Sequence, residues 1–241
     1  MSRYAFVTGA DRGLGLALVK GLIARGFTVF AGQYMPEWTE LAELKQAQGD
    51  SLLLVPLDIG SGDSVRKAAE QVSAVTDRLE LVINAAAILG GIEATVEDEL
   101  DFEDIQRVFN VNTLGTLRVT NALTGHLLKG EGRLLVNISS EAGSVEDSSR
   151  DSWFAYCMSK SALNMQSKLV YNQIAPQGGK VLLVHPGWVR TYMNGYFNTE
   201  ADLTADESAA AILGLADRFL LPGFKQERLC LVDYTGKPMN W

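Results

Sequence analysis

Only two cysteines, Cys157 and Cys230, occur in the 241 residues, too few for a disulfide framework to carry the fold. Count alone leaves one bridge or two free thiols open, and free thiols in a reducing cytoplasm are the expectation. No run of 18 apolar residues occurs, which excludes a membrane-spanning helix. Met1-Ser2-Arg3 leads straight into Tyr4-Ala5-Phe6-Val7, without the basic, apolar and small-residue parts of a secretory leader, so secretion is not expected. Positive charge is in deficit: 21 basic against 29 acidic residues give −8, which opposes binding to nucleic acid or to an anionic membrane surface. His126 and His185 stand apart from any metal-ligand spacing, so no metal is expected. There is no polar linker, internal repeat or low-complexity stretch, and residues 1–241 read as one domain. What is present is an ordinary globular composition, 47% hydrophobic and 21% charged, in a chain long enough to bury roughly 70% of its unfolded surface. The expected partner is a small molecule.

Short apolar runs alternate with segments of helical periodicity. Strands are expected at 4–8, 28–32, 51–56, 79–84, 133–138, 180–185 and 228–232. Helices are expected from Leu14 through Leu18 and Leu22, then at 37–48, 62–77, 101–126, 153–174 and 206–219. Leu52-Leu53-Leu54-Val55, Leu134-Leu135-Val136 and Val181-Leu182-Leu183-Val184 are unbroken apolar runs, as strands covered on both faces require. The expected fold is therefore α/β: a doubly wound, Rossmann-type, mostly parallel sheet of about seven strands with helices on both faces.

Between the first strand and first helix lies Thr8-Gly9-Ala10-Asp11-Arg12-Gly13-Leu14-Gly15. Backbone N–H groups and the helix dipole at such a turn favour a pyrophosphate, although glycines also occur there for purely steric reasons. The spacing is neither the usual dinucleotide fingerprint nor a P-loop. Far downstream stand Tyr156-Cys157-Met158-Ser159-Lys160 and, ahead of them, Asn137-Ile138-Ser139-Ser140. Tyr156 and Lys160 are four residues apart and emerge from one helix face. An adjacent ammonium, together with a positive nicotinamide, is expected to lower the tyrosine's pKa.

With these motifs the chain resembles the classical short-chain dehydrogenase/reductases. The family's T-G-x-x-x-G-x-G matches 8–15, its Y-x-x-x-K matches 156–160, its serine matches Ser140, and its helix asparagine matches Asn112. Its P-G-x-V-x-T matches Pro186-Gly187-Trp188-Val189-Arg190-Thr191. The wording around Tyr156 and Asp233-Tyr234-Thr235-Gly236-Lys237 is similar to the sniffer and C-factor branch, whose members are small and carbonyl-reductase-like. Two departures stand out. The family's N-N-A-G reads Asn84-Ala85-Ala86-Ala87, where the methyl of Ala87 would approach the cofactor ribose and a bracing asparagine is gone. The stretch from Ser140 to Tyr156 is also longer than usual, the excess falling in Glu146-Asp147-Ser148-Ser149-Arg150-Asp151, either a pocket border or a solvated loop.

The resemblance implies hydride transfer between NADP(H) and a small, apolar carbonyl or alcohol. Tyr156 would be the proton donor, Ser140 the hydroxyl that polarises the carbonyl, Lys160 a binder of the nicotinamide ribose, and Asn112 the holder of a relay water. Thr8, Gly9, Arg12, Gly13, Leu14, Gly15, Gln33, Asp58, Ile59, Asn84, Ala85 and Ala86 would line the cofactor, joined by Tyr156, Lys160, Pro186, Gly187, Val189 and Thr191. Residue 33, where a carboxylate would select NAD, is the neutral Gln33, and Arg12 offers a guanidinium to a 2′-phosphate. NADP is thus the expected cofactor, with NAD possible. Residues 188–203, carrying Tyr192, Met193, Tyr196 and Phe197, read as a substrate lid. Family members associate through the helices bearing Asn112 and Tyr156, which implies a homodimer or homotetramer. A second class of reading is a cofactor-binding regulator or signalling protein with little turnover.

Overall fold

The structure, a computed structural model, describes residues 3–241. Eight strands form one sheet: β1 (Arg3–Val7), β2 (Phe27–Gln33), β3 (Leu52–Pro56), β4 (Leu81–Asn84), β5 (Leu134–Ile138), β6 (Lys180–His185), β7 (Leu231–Asp233) and β8 (Pro238–Met239). Their order is β3-β2-β1-β4-β5-β6-β7-β8, with the first seven parallel and β8 antiparallel to β7. The helices are α1 (Gly13–Ala24), α2 (Glu40–Gln48), α3 (Gly62–Val75), α4 (Phe102–Phe109), α5 (Thr116–Lys129), α6 (Phe154–Ile174) and α7 (Ala205–Leu220). This is the doubly wound α/β architecture expected from the alternating pattern.

The unbroken apolar strands divide residue by residue between the two faces, because successive side chains on a strand point to opposite sides. Ala5, Val7, Val29, Ala31, Leu81, Ile83, Leu134, Val136, Leu182 and Val184 join a core under α1, α2 and α7. Phe6, Phe30, Val82, Leu135, Val181 and Leu183 join a second core under α3, α5 and α6. The strand order reverses between β1 and β4, and a crevice opens beyond the carboxyl ends at such a switch point. The glycine turn after β1 lies there.

Beyond shifts of a few residues at element ends, three features differ from the sequence expectation. The helix expected over 101–126 is two helices joined by a wide π-helical turn, Asn110–Gly115. Inside that turn the Asn112 carboxamide bonds the backbone of Ile88, accepting from its N–H and donating to its carbonyl, both at 2.9 Å. Gly115 also lies so close to Ile59 that a Cβ there would stand 2.9 Å from the Ile59 carbonyl oxygen. β7 begins only at Leu231 because the Gln226 carboxamide takes the place of a strand residue, accepting from Val181 N–H at 2.9 Å and donating to Val181 O at 2.8 Å. β8, two residues long and containing a proline, carries no periodicity by which it could be read.

Candidate active site

Thr8 directly follows β1 and is buried. Its hydroxyl oxygen accepts from the N–H groups of Ala85 and Ala86, each at 3.0 Å. The backbone that lost the family's second asparagine is thus braced from β1. Gly9 has φ +65°, and a Cβ on it would meet Ala86 Cα at 2.8 Å. A Cβ on Gly15 would stand 1.9 Å from the Gly9 carbonyl oxygen, and one on Gly13 would stand 3.3 Å from Thr191 Cγ2. Arg12 occupies the N-cap of α1 without a side-chain cap bond, and no acid lies in the first turn. The first N–H groups of α1 therefore face the crevice uncapped, at the positive end of the helix dipole. A close-approach backbone cradle with this electrostatic sign fits the pyrophosphate of a dinucleotide.

Ser140, Tyr156, Lys160 and Asn112 converge at the ends of β5 and α6, and all four are buried. Ser140 follows β5 in extended conformation and its oxygen accepts from Ala142 N–H at 3.1 Å, leaving the hydroxyl proton free to donate. Lys160 Nζ lies 5.5 Å from the Tyr156 ring centroid and donates to Ile138 O at 2.9 Å. Burial pushes the Tyr156 phenol up to about 12, with the Ser140 hydroxyl opposing the rise. Burial also brings Lys160 down to about 8. Desolvation thus favours the protonated phenol in the protein by itself, with the Ser140 hydroxyl acting against it; the expected lowering calls for the positive nicotinamide as well as the lysine.

The Asn112 carboxamide also donates to Ser159 Oγ at 3.0 Å, and the Asn112 backbone carbonyl accepts from the Thr116 hydroxyl at 2.9 Å. Its side chain thereby ties the wide turn to α6 beside Lys160. Asn84, expected to line the adenosine side, is buried, and its amide donates to Asn137 Oδ1 at 2.8 Å and Thr120 Oγ1 at 3.2 Å. Asn137 in turn donates to Ser167 Oγ at 2.8 Å. The Asn84 side chain therefore belongs to a buried polar chain from α5 through β4 and β5 to α6.

Asp58, expected beside the adenine, accepts from Gly60 N–H through its Oδ1 at 2.8 Å. Ile59 is buried in the second core, so a cofactor would meet its main chain. Gln33, half-buried, ends β2. Pro186 and Gly187 turn the chain after β6, and Gly187 at φ +82° faces the Tyr234 ring and Leu203. Val189 bridges to Leu203, and Thr191 O accepts from Asn198 N–H at 3.0 Å. Segment 188–203 is therefore a loop with paired ends: Leu203 donates to Trp188 O at 3.1 Å and accepts from Arg190 N–H at 2.8 Å.

Several residues of this region lie outside the positions that the motifs specify. Buried Asp11 accepts from the N–H groups of Tyr34 at 2.9 Å and Met35 at 2.8 Å, pinning the glycine turn to the loop after β2. An acid inside a phosphate-type turn was the clue. The apolar groups packed around Tyr156 are Leu89, Ile92, Ala142, Trp153 and Cys157. Trp153 sits at φ +65°, in a left-handed conformation costly for a bulky residue. Its ring lies edge-on to Tyr156 with centroids 6.2 Å apart. The long Ser140–Tyr156 stretch runs over the surface and is anchored near the Tyr156 ring. Residues 146–151 are exposed, yet Arg150 forks onto Glu141 at 2.7 and 2.9 Å and lies 5.0 Å over Trp153.

The short chain dehydrogenase family model matches residues 3–202. C-signal of Myxococcus xanthus is 34% identical over 167 residues, 69% of this chain and 95% of that protein. A short-chain dehydrogenase/reductase from Burkholderia multivorans, solved with bound NADP, superposes with a TM-score of 0.87 at 26% identity over the whole of both chains. The carbonyl reductase Sniffer of Drosophila melanogaster does so with a TM-score of 0.86 at 26% identity, again over the whole of both chains. With the glycine turn, serine, tyrosine and lysine in the places the family motif gives them, this chain belongs to the short-chain dehydrogenase family and is an oxidoreductase of the sniffer and C-factor type.

Proposed function

We propose that the protein is an NADP(H)-linked carbonyl reductase for small, apolar aldehydes and ketones. The observation that carries this reading is the burial of Ser140, Tyr156 and Lys160 together beside the uncapped glycine cradle. Thr8 to Gly15, the backbone at Ala85 and Ala86, and the turn from Pro186 to Thr191 would hold the dinucleotide, which supplies the hydride when bound. Tyr156, with its phenol near 12, remains protonated at neutral pH and gives its proton to the carbonyl oxygen as negative charge develops there. An alkoxide is a stronger base than a phenolate, so the transfer runs downhill. Ser140 donates its free hydroxyl proton to the same oxygen, oriented by the Ala142 N–H. Lys160, near 8, is mostly an ammonium at pH 7. One N–H is engaged by Ile138 O, and the remaining two would take the ribose hydroxyls. Leu89, Ile92, Ala142 and Trp153 form an apolar wall that suits an apolar carbonyl compound.

NADP rather than NAD follows from the Arg12 guanidinium and from the absence of a carboxylate at Gln33. Exposed Leu114, Leu117, Met158, Met165 and Leu169 on the wide turn, α5 and α6 favour association with a second copy. Cys157 and Cys230 are free thiols, in keeping with work in the cytoplasm.

The test is NADPH oxidation against aldehydes, ketones and quinones, with cofactor binding followed in parallel by fluorescence. Turnover on apolar carbonyls is expected. Binding without turnover on any class would favour a regulator. Replacing Gln33 by Asp is expected to weaken NADP and strengthen NAD, and Arg12→Ala to weaken NADP alone, read as kcat/KM for each cofactor. A wild-type protein equally efficient with NADH and indifferent to Arg12→Ala would remove the cofactor assignment.

A further inference from the structure

Arg12 does not point freely into solvent. Its guanidinium carbon lies 4.3 Å from the Trp38 ring centroid and 5.2 Å from that of Tyr192. The two rings meet edge to face, with centroids 4.7 Å apart, and Tyr192 lies 5.1 Å from Phe197. The cation is therefore seated in the angle between two aromatic faces. One face comes from the loop after β2, and the other from segment 188–203, whose base is closed by the pairing of Trp188 and Arg190 with Leu203. The same segment meets the glycine turn again where Thr191 approaches Gly13.

A guanidinium held by ring faces keeps its N–H edge available, and that edge is what grips a phosphate through two hydrogen bonds. Trp38 and Tyr192 thus restrict Arg12 without using its donors. The reverse also holds, since a phosphate that fixes Arg12 fixes the platform on which Tyr192 rests. We infer that recognition of the cofactor's 2′-phosphate and the closure of segment 188–203 are energetically coupled through Arg12, with Tyr192 as the positioning residue. The inference rests on the proposed gripping of the 2′-phosphate by Arg12 and extends it to the substrate side. By linkage, whatever factor NADPH gains from a closed segment the closed segment gains from NADPH. A cation–π contact at a partly exposed site sets that factor at about two- to fivefold. NADH, lacking the phosphate, would leave the segment in its resting equilibrium.

The experiment is amide hydrogen exchange of residues 188–203 in the wild-type protein with saturating NADPH or NADH, beside dissociation constants for both cofactors. It is repeated in Tyr192→Leu, which keeps an apolar side chain but removes the ring, and in Tyr192→Phe, which keeps the ring. The expected result is two- to fivefold greater protection with NADPH than with NADH in wild type and in Tyr192→Phe. In Tyr192→Leu the difference disappears, while NADPH still binds more tightly than NADH. Equal protection by both cofactors in wild type, with tighter binding of NADPH intact, would overturn the coupling and leave the Arg12 assignment standing. An excess of protection that survives in Tyr192→Leu would overturn the role of Tyr192. Equal dissociation constants in wild type would remove the phosphate reading itself, and the coupling with it.

Discussion

Tyr156→Phe is expected to reduce carbonyl turnover by about 10²-fold or more while leaving NADPH affinity within about a factor of two, because a general acid typically supplies at least that much rate. The ring remains. Its packing against Leu89, Ala142, Trp153 and Cys157 is the same in phenylalanine, so the fold loses only a buried hydroxyl. That hydroxyl, pushed up to about 12 by burial, is protonated at pH 7, and its value to carbonyl reduction is the proton it carries. The comparison of kcat with the cofactor dissociation constant separates the two roles, since a group used only in the transition state moves the first and not the second. Retention of more than about a tenth of the wild-type kcat would show that another group is the acid.

The largest effect on cofactor binding is expected from the smallest substitution. A methyl at Gly15 would stand 1.9 Å from the carbonyl oxygen of Gly9, and neither atom is at the end of a flexible side chain. The turn must open, which displaces the N–H groups that would hold the pyrophosphate. Forcing atoms into a packed site costs about 1–3 kcal/mol or more, so Gly15→Ala should lose at least tenfold in NADPH affinity, roughly the effect of 1.4 kcal/mol, together with several degrees of Tm. Gly125→Ala is the control. Gly125 lies exposed in α5 with nothing within 4 Å of the added methyl, and alanine there is expected to stabilise by up to about 1 kcal/mol. Equal behaviour of the two variants would mean that the close approach at Gly15 does not shape the cradle.

The parallel sheet was legible because its signal is local. Runs such as Val181-Leu182-Leu183-Val184 announce a strand covered on both faces, whichever helix covers it. The family motif likewise named Ser140, Tyr156 and Lys160 from short stretches of chain. What could not be read depends on partners far apart in sequence. Nothing near Trp38 announces a ring packed against residues 12 and 192. Nothing around Gln226 announces a carboxamide doing the work of a strand. The left-handed Trp153 is equally silent, since the periodicity of a helix starting at residue 154 is indifferent to the dihedral angles of the residue before it. The upward push on the Tyr156 phenol is silent for a related reason: sequence spacing reveals the neighbouring lysine but not the depth of burial.

The wide turn at Asn110–Gly115 takes about one residue more to go round than a regular helix does. Deleting exposed Leu114 would therefore let a regular helix close through the gap with the two flanking segments still in phase. The buried stripe of α5, Thr116, Val119, Thr120, Leu123 and Leu127, would keep facing the sheet. What such a deletion removes is the local widening that brings the Asn112 carboxamide to Ile88 and Ser159. The shortened protein is expected to keep a cooperative thermal transition and to lose carbonyl turnover, read by melting and by NADPH oxidation. Full turnover in the shortened protein would show that the site does not need the extra residue.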